Sequence, residues 1–173
     1  DGALLANPRH YRDKRNEGMQ EYAFTMMPRT EIYQSTGIQF LPFNSVYQLL
    51  SLKKAGSPLL DAAESLLLMG DLFGYLLSGK KACEYTNAST SQMLNPYTRT
   101  WDDALIRKLG LPRRLLLDLV PPGTVLGPVR EEICVQAGLR PGVPVIAPGT
   151  HDTASAVAAV PGVARPPSYH NAR

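Results

Sequence analysis

The sequence predicts an α/β fold, and three observations carry that expectation. Val143, Val145, Ile146 and Ala147 form an apolar, mostly β-branched run without alternation, the pattern of a strand buried on both faces of a sheet. Pro148 and Gly149 end the run, and from Thr153 onward Ala154, Ala156, Val157, Ala158 and Ala159 read as a closely packed helix. The preceding residues hold many segments of helical period and few short strands. Thr150, His151 and Asp152 therefore fall between the carboxyl end of a strand and the amino end of a helix, the rim at which open α/β sheets bind ligands.

In chain order, residues 1–6 form a turn with a few apolar residues, and Asn7-Pro8 starts a loop into the charged cluster Tyr11-Arg-Asp-Lys-Arg15. Met19, Tyr22, Ala23, Met26 and Met27 recur at helical spacing over residues 17–27, and Pro28 stops that helix. Thr30 is placed to cap a short helix over 31–35, which Gly37 terminates. Ile38, Phe40, Leu41 and Phe43 form an apolar loop whose Gln39 and Asn44 either satisfy backbone groups or face a ligand. Val46, Leu49 and Leu50 mark a helix from Asn44 or Ser45 to near Lys54, and Ala62, Leu66 and Met69 predict another over 61–69. Asp71 is expected to cap a helix over 72–77 closed by Gly79. The polar run 84–92 reads as a hydrogen-bonded turn, although Asn87-Ala-Ser89 is formally a glycosylation acceptor. Trp101 is assigned to the core, Asp102 to the cap of a helix over 103–109, residues 124–126 to a short strand, and residues 129–137 to a helix ended by Gly138.

Composition narrows the function classes. A chain of 173 residues with 44% hydrophobic content suffices for one core. Its 18 basic and 15 acidic residues are interspersed, and a net charge of +3 argues against a nucleic-acid or anionic-membrane partner. No apolar run approaches bilayer length and the start lacks the basic segment of a signal peptide, so a cytoplasmic location is expected. Cys83 and Cys134 form no CxxC pair and adjoin no His cluster, so both are read as reduced thiols and no structural metal is predicted.

Asp152 carries two readings. An Asp immediately before a helix is a favoured N-cap, its carboxylate accepting a free backbone N–H. The alternative is a general base that takes a hydroxyl proton during phosphoryl transfer. A lone His such as His151 is read as a packed or solvated histidine, with a catalytic one as the alternative. Gly74-Tyr-Leu-Leu-Ser-Gly-Lys-Lys81 nearly spells a phosphate-binding loop, but it is filled with Tyr75, Leu76 and Leu77 and ends in Lys81 where a magnesium-binding hydroxyl is needed.

The motif Gly149-Thr-His-Asp-Thr-Ala-Ser-Ala-Val157 resembles the substrate-side motif of the rhamnulokinase branch of the FGGY carbohydrate kinases. Tyr11-Arg-Asp-Lys-Arg15, Thr36-Gly-Ile-Gln-Phe-Leu-Pro-Phe-Asn44, Glu84-Tyr-Thr-Asn-Ala-Ser-Thr-Ser-Gln92 and Pro122-Gly-Thr-Val-Leu-Gly127 occur in the order that family would place them. The resemblance implies a ribonuclease-H-like (actin-like ATPase) fold with helical insertions. It covers residues 1–161, expected to be part of the N-terminal, sugar-binding domain, and leaves 162–173 as an unmatched tail expected to lack a fold. It also implies ATP-dependent phosphorylation of L-rhamnulose, with magnesium carried by the nucleotide, Asp152 as the base, and His151 and Thr153 as sugar contacts. Neither the Asp/Gly-rich hairpin nor the nucleotide domain of that family is found in this sequence, so the isolated chain is expected to be inactive. Two alternatives stand beside this reading: a kinase of another ketose or polyol, and a non-catalytic remnant or interaction module.

Overall fold

The computed structural model describes residues 2–161, so the tail predicted to lack a fold lies outside the described residues. The first half is helical. After a 3-10 turn, Lys14–Asn16, come α1 (Met19–Met26), α2 (Arg29–Thr36), α3 (Ser45–Lys54), α4 (Leu59–Ala62) and α5 (Met69–Ser78). The second half interleaves short strands and helices: β1 (Cys83–Glu84), α6 (Tyr85–Ala88), β2 (Leu94–Asn95), β3 (Thr100–Trp101), α7 (Asp103–Lys108), β4 (Leu119–Val120), β5 (Val125–Pro128), α8 (Glu131–Ala137), β6 (Pro144–Ile146) and α9 (Asp152–Ala158). Among the described residues the strands pair as β1 with β4 in parallel, β2 with β3 antiparallel, and β5 with β6 antiparallel.

The core forms where the apolar faces of α1 and α3 meet the segment from β1 to α7. Met19 and Ala23 of α1 join Val46, Tyr47, Leu49 and Leu50 of α3, and Met93, Trp101, Leu105 and Ile106 close the cluster from the other side. The Trp101 indole N–H donates to the Leu117 carbonyl at 2.7 Å, which satisfies the ring's one polar group. Tyr47 is fully buried and its hydroxyl donates to Gln92 Oε1 at 2.5 Å. Gln92 is itself fully buried and holds a left-handed backbone, φ 63°. Asp102 caps α7 as expected, accepting the Leu105 N–H at 2.8 Å, and Gly37, Gly79 and Gly138 end α2, α5 and α8 in left-handed conformations.

Several sequence expectations are corrected. The helix expected over 61–69 stops at Ala62, because Leu66 leaves it to form a parallel bridge with Leu116, its N–H donating to the Leu115 carbonyl. Thr30 and Asp71 are not caps; each lies inside its helix, and Asp71 is buried. The strand of 143–147 is not covered on both faces. It pairs antiparallel with β5, buries Val145 and Ala147, and leaves Ile146 51% exposed. Helix α9 exists where predicted, but none of its residues is buried. Asn44 follows the bland alternative: its Oδ1 accepts the Leu41 N–H at 2.7 Å and its amide donates to the Thr90 carbonyl at 2.8 Å.

Removing the Tyr47 hydroxyl strands the buried Gln92 acceptor, so Tyr47→Phe is expected to lower stability by about 1–3 kcal/mol. Lys108→Ala, which breaks only the exposed pair with Glu31, is expected to cost less than about 1 kcal/mol. Urea unfolding followed by Trp101 fluorescence measures both; equal effects would contradict the ranking.

Candidate active site

Glu84, the last residue of β1, is wholly buried. An isolated carboxylate at that depth is costly, so its survival depends on the donors around it. Its Oε1 accepts the Thr86 N–H at 2.8 Å. Its Oε2 accepts the Thr86 hydroxyl at 2.5 Å, the Asn87 N–H at 3.3 Å, the Thr150 N–H at 3.0 Å and the Thr150 hydroxyl at 2.8 Å. The two α6 amides make Glu84 the cap of that helix, while the Thr150 donors belong to a turn 66 residues away. One acid therefore starts a helix and holds a remote loop. Burial alone would push its carboxyl up, but the donors from Thr86 and Thr150 together outweigh burial and hold it below its ordinary range.

The 149–153 turn is fixed from further sides. The His151 N–H donates to Thr86 Oγ1 at 3.3 Å, and the Ser155 hydroxyl donates to the Gly149 carbonyl across the turn. Helix α5 closes on Thr150 at Gly70, where an added Cβ would stand 2.7 Å from both Thr150 Cβ and Cγ2. At the next residue of α5, the Asp71 Oδ1 accepts the Glu84 N–H at 3.0 Å. Burial, with the Glu84 charge adding to it against the hydrogen bond from the Glu84 amide, pushes the Asp71 carboxyl up to about 6. Burial and the neighbouring Asp71 likewise push the Cys83 thiol up.

His151, Asp152 and Thr153 are brought together at the start of α9. His151 occupies the cap position without a side-chain cap bond, and Asp152 is the first helical residue, which corrects its expected place as the N-cap. The Asp152 Oδ1 accepts the Thr153 N–H at 2.7 Å and its hydroxyl at 3.3 Å, and both residues are exposed. Among the described residues nothing donates to Oδ2. The charged cluster at 11–15 is not joined to this turn. Instead the Tyr11 ring meets Phe43 edge-on at 5.2 Å, with the Arg12 guanidinium 5.4 Å from each ring centre. Two surface grooves, one bordered by Glu31, Ser35, Asp102 and Lys108 and the other by Lys80, Lys81, Asp118 and Thr124, also lie away from it.

Glu84, Thr86, Thr150 and Asp71 are the site residues that sequence reasoning did not assign. The hydroxyl-rich run after Glu84 was the available signal, and it indicated a bonded turn without revealing the partner. The near phosphate loop is settled physically: residues 74–78 lie within α5, where the Gly79 N–H closes on the Tyr75 carbonyl at 2.6 Å, so no open cradle of amides exists there.

Comparison with known proteins assigns this mixed α/β domain to a family. The chain belongs to the FGGY family of carbohydrate kinases, whose N-terminal domain matches residues 1–159. The rhamnulokinase of Pectobacterium atrosepticum is 45% identical over 169 residues, 98% of this chain and 33% of that protein. That of Oceanobacillus iheyensis is 44% identical over 151 residues, 87% of this chain and 32% of that protein. The chain thus spans about a third of the length of the curated relatives it matches. Among solved structures, a xylulose kinase from Rhodospirillum rubrum superposes with a TM-score of 0.81 at 22% identity, covering 95% of this chain and 33% of that one, which speaks for the fold alone. A ligand-bound xylulose kinase from Lactobacillus acidophilus gives 0.76 at 25% identity, over 84% and 30%.

The two buried acids predict opposite pH dependences. Asp71 has a raised value in the fold, so its contribution to stability is complete below about 3.8 and is lost as pH rises through about 6. Glu84 has a lowered value, so its contribution is present above 4.5 and is lost as pH falls. Asp71→Asn is therefore expected to gain stability relative to wild type as pH rises across the first window. Urea titrations below and above it check this, and a constant difference would refute it.

Proposed function

We propose that this chain supplies the sugar-acceptor side of a rhamnulokinase, within which Asp152 is the base and His151 and Thr153 contact the sugar. The observation that carries the reading is the disposition of Asp152. Oδ1 is held by Thr153, the described residues leave Oδ2 to take a proton, and the turn beneath is clamped to β1. A base for this reaction needs one carboxylate oxygen within hydrogen-bond reach of the acceptor hydroxyl, in a geometry fixed beforehand. Proton transfer from a primary hydroxyl of the ketose to Oδ2 meets that need as the oxygen becomes the nucleophile. In this reading His151, beside it at the start of α9, orients the sugar's remaining hydroxyls.

Identity of 44–45% to rhamnulokinases, against 25% to a xylulose kinase, supports L-rhamnulose as the acceptor over another ketose. ATP, with magnesium carried by its phosphates, is the phosphoryl donor in this reading, in a cytoplasmic setting. Residues 74–78, the near phosphate loop, are helical, and among the described residues no cluster of three or more His, Cys, Asp or Glu side chains suits a metal. The role assigned to this chain is accordingly confined to binding the acceptor and accepting its proton.

The test is a graft of residues 1–161 into the full-length rhamnulokinase of Oceanobacillus iheyensis, assayed by ADP release with L-rhamnulose and with D-xylulose. Asp152→Asn keeps a hydrogen-bonding oxygen for Thr153 but cannot take the proton, and is expected to lower kcat by roughly 10²–10⁴-fold. His151→Ala is expected to raise KM more than it lowers kcat. Wild-type turnover by Asp152→Asn would overturn the assignment of the base, and a preference for D-xylulose would overturn the substrate.

A further inference from the structure

We propose that Glu84 is a positioning residue for phosphoryl transfer, its buried carboxylate setting the 149–153 turn so that Asp152 faces the acceptor hydroxyl. This rests on the reading of Asp152 as the base. Capping α6 requires only the Thr86 and Asn87 amides, so both Thr150 donors are additional to what helix formation needs. The Thr150 N–H and hydroxyl bind Glu84 directly, and the next amide, His151, binds the Thr86 hydroxyl that itself donates to Glu84. Two successive peptide units immediately before Asp152 are thereby tied to one carboxylate at the end of β1. On the opposite side Thr150 lies against Gly70 of α5, where any added Cβ would stand 2.7 Å from its side chain.

The clamp requires a carboxylate, and an amide of the same shape will not serve. Oε1 meets the Thr86 N–H, and Oε2 meets the Asn87 and Thr150 N–H groups, none of which can turn round to accept. A glutamine at 84 places its NH₂ against a backbone N–H in either orientation. Glu84→Gln therefore releases the turn without opening a cavity.

Two measurements test this. In the 173-residue chain, amide exchange of Thr150 and His151 is expected to accelerate at least about tenfold in Glu84→Gln, while residues 46–50 of α3 keep their protection. Thr150→Val, which removes only the hydroxyl donor, is expected to accelerate the same amides less, and Thr150→Ser is expected to restore wild-type rates. In the grafted kinase, Glu84→Gln and Thr150→Val are expected to lower kcat roughly 10–100-fold, the cost of a misplaced reacting group, with KM for L-rhamnulose changed less than about threefold. Unchanged exchange at Thr150 and His151, loss of protection throughout α3 in both variants, or a released turn with undiminished kcat would each overturn the proposal. If Asp152→Asn retained full activity while Glu84→Gln and Thr150→Val released the turn and lowered kcat, the base assignment would fail and Glu84 would be positioning another group of the turn.

Discussion

A carboxylate taken out of water must recover its lost hydration from the protein, and Glu84 does so from five donors contributed by Thr86, Asn87 and Thr150. That requirement organises much of the second half of the molecule. It fixes where α6 begins, brings the 149–153 turn to the end of β1, and places Asp71 of α5 beneath the Glu84 amide. Helix α9 buries none of its residues, so its place owes more to these polar contacts at its amino end than to apolar packing along its length. A site held in this way is defined by hydrogen-bond directions, which are steeper than hydrophobic contacts.

Much of the fold was legible where local chemistry decides. The apolar faces of α1 and α3, the Asp102 cap of α7 and the glycine ends of α2, α5 and α8 all follow from spacing and backbone preference within a few residues. The misreadings occur where a distant partner overrides that preference. Leu66 has helical spacing with Ala62 and Met69, yet the Leu115 carbonyl and Leu116 draw it out of helix. Asp71 has the chemistry of a cap, but the amide it satisfies is that of Glu84, thirteen residues on. The run at 143–147 promised two covered faces; β6 pairs with β5 instead, and only Val145 and Ala147 turn inward.

The site divides along the same line. His151, Asp152 and Thr153 stood out as candidates because a strand, a glycine turn and a helix start are contiguous in sequence, and because the motif resembles that of a known family. Their support could not be found in that way. Glu is not a favoured cap residue, so nothing adjacent to Glu84 announces its role, and its Thr150 partner is far away in the chain. Asp152 itself is the first residue of α9 rather than its N-cap. One carboxylate oxygen accepts the Thr153 N–H and hydroxyl, and among the described residues nothing donates to the other.

Gln92 shows how narrowly a single position can be specified. Its left-handed backbone favours glycine, which adopts φ near 63° at no steric cost, whereas its side chain is the acceptor for the buried Tyr47 hydroxyl. Glycine would relieve the backbone and strand the phenol, a larger apolar residue would strand the phenol and keep the strain, and a shorter amide falls back from the reach of the Tyr47 oxygen. Mutational tolerance at this site is therefore set by two incompatible preferences, which couples the effects of substitutions at Gln92 and Tyr47.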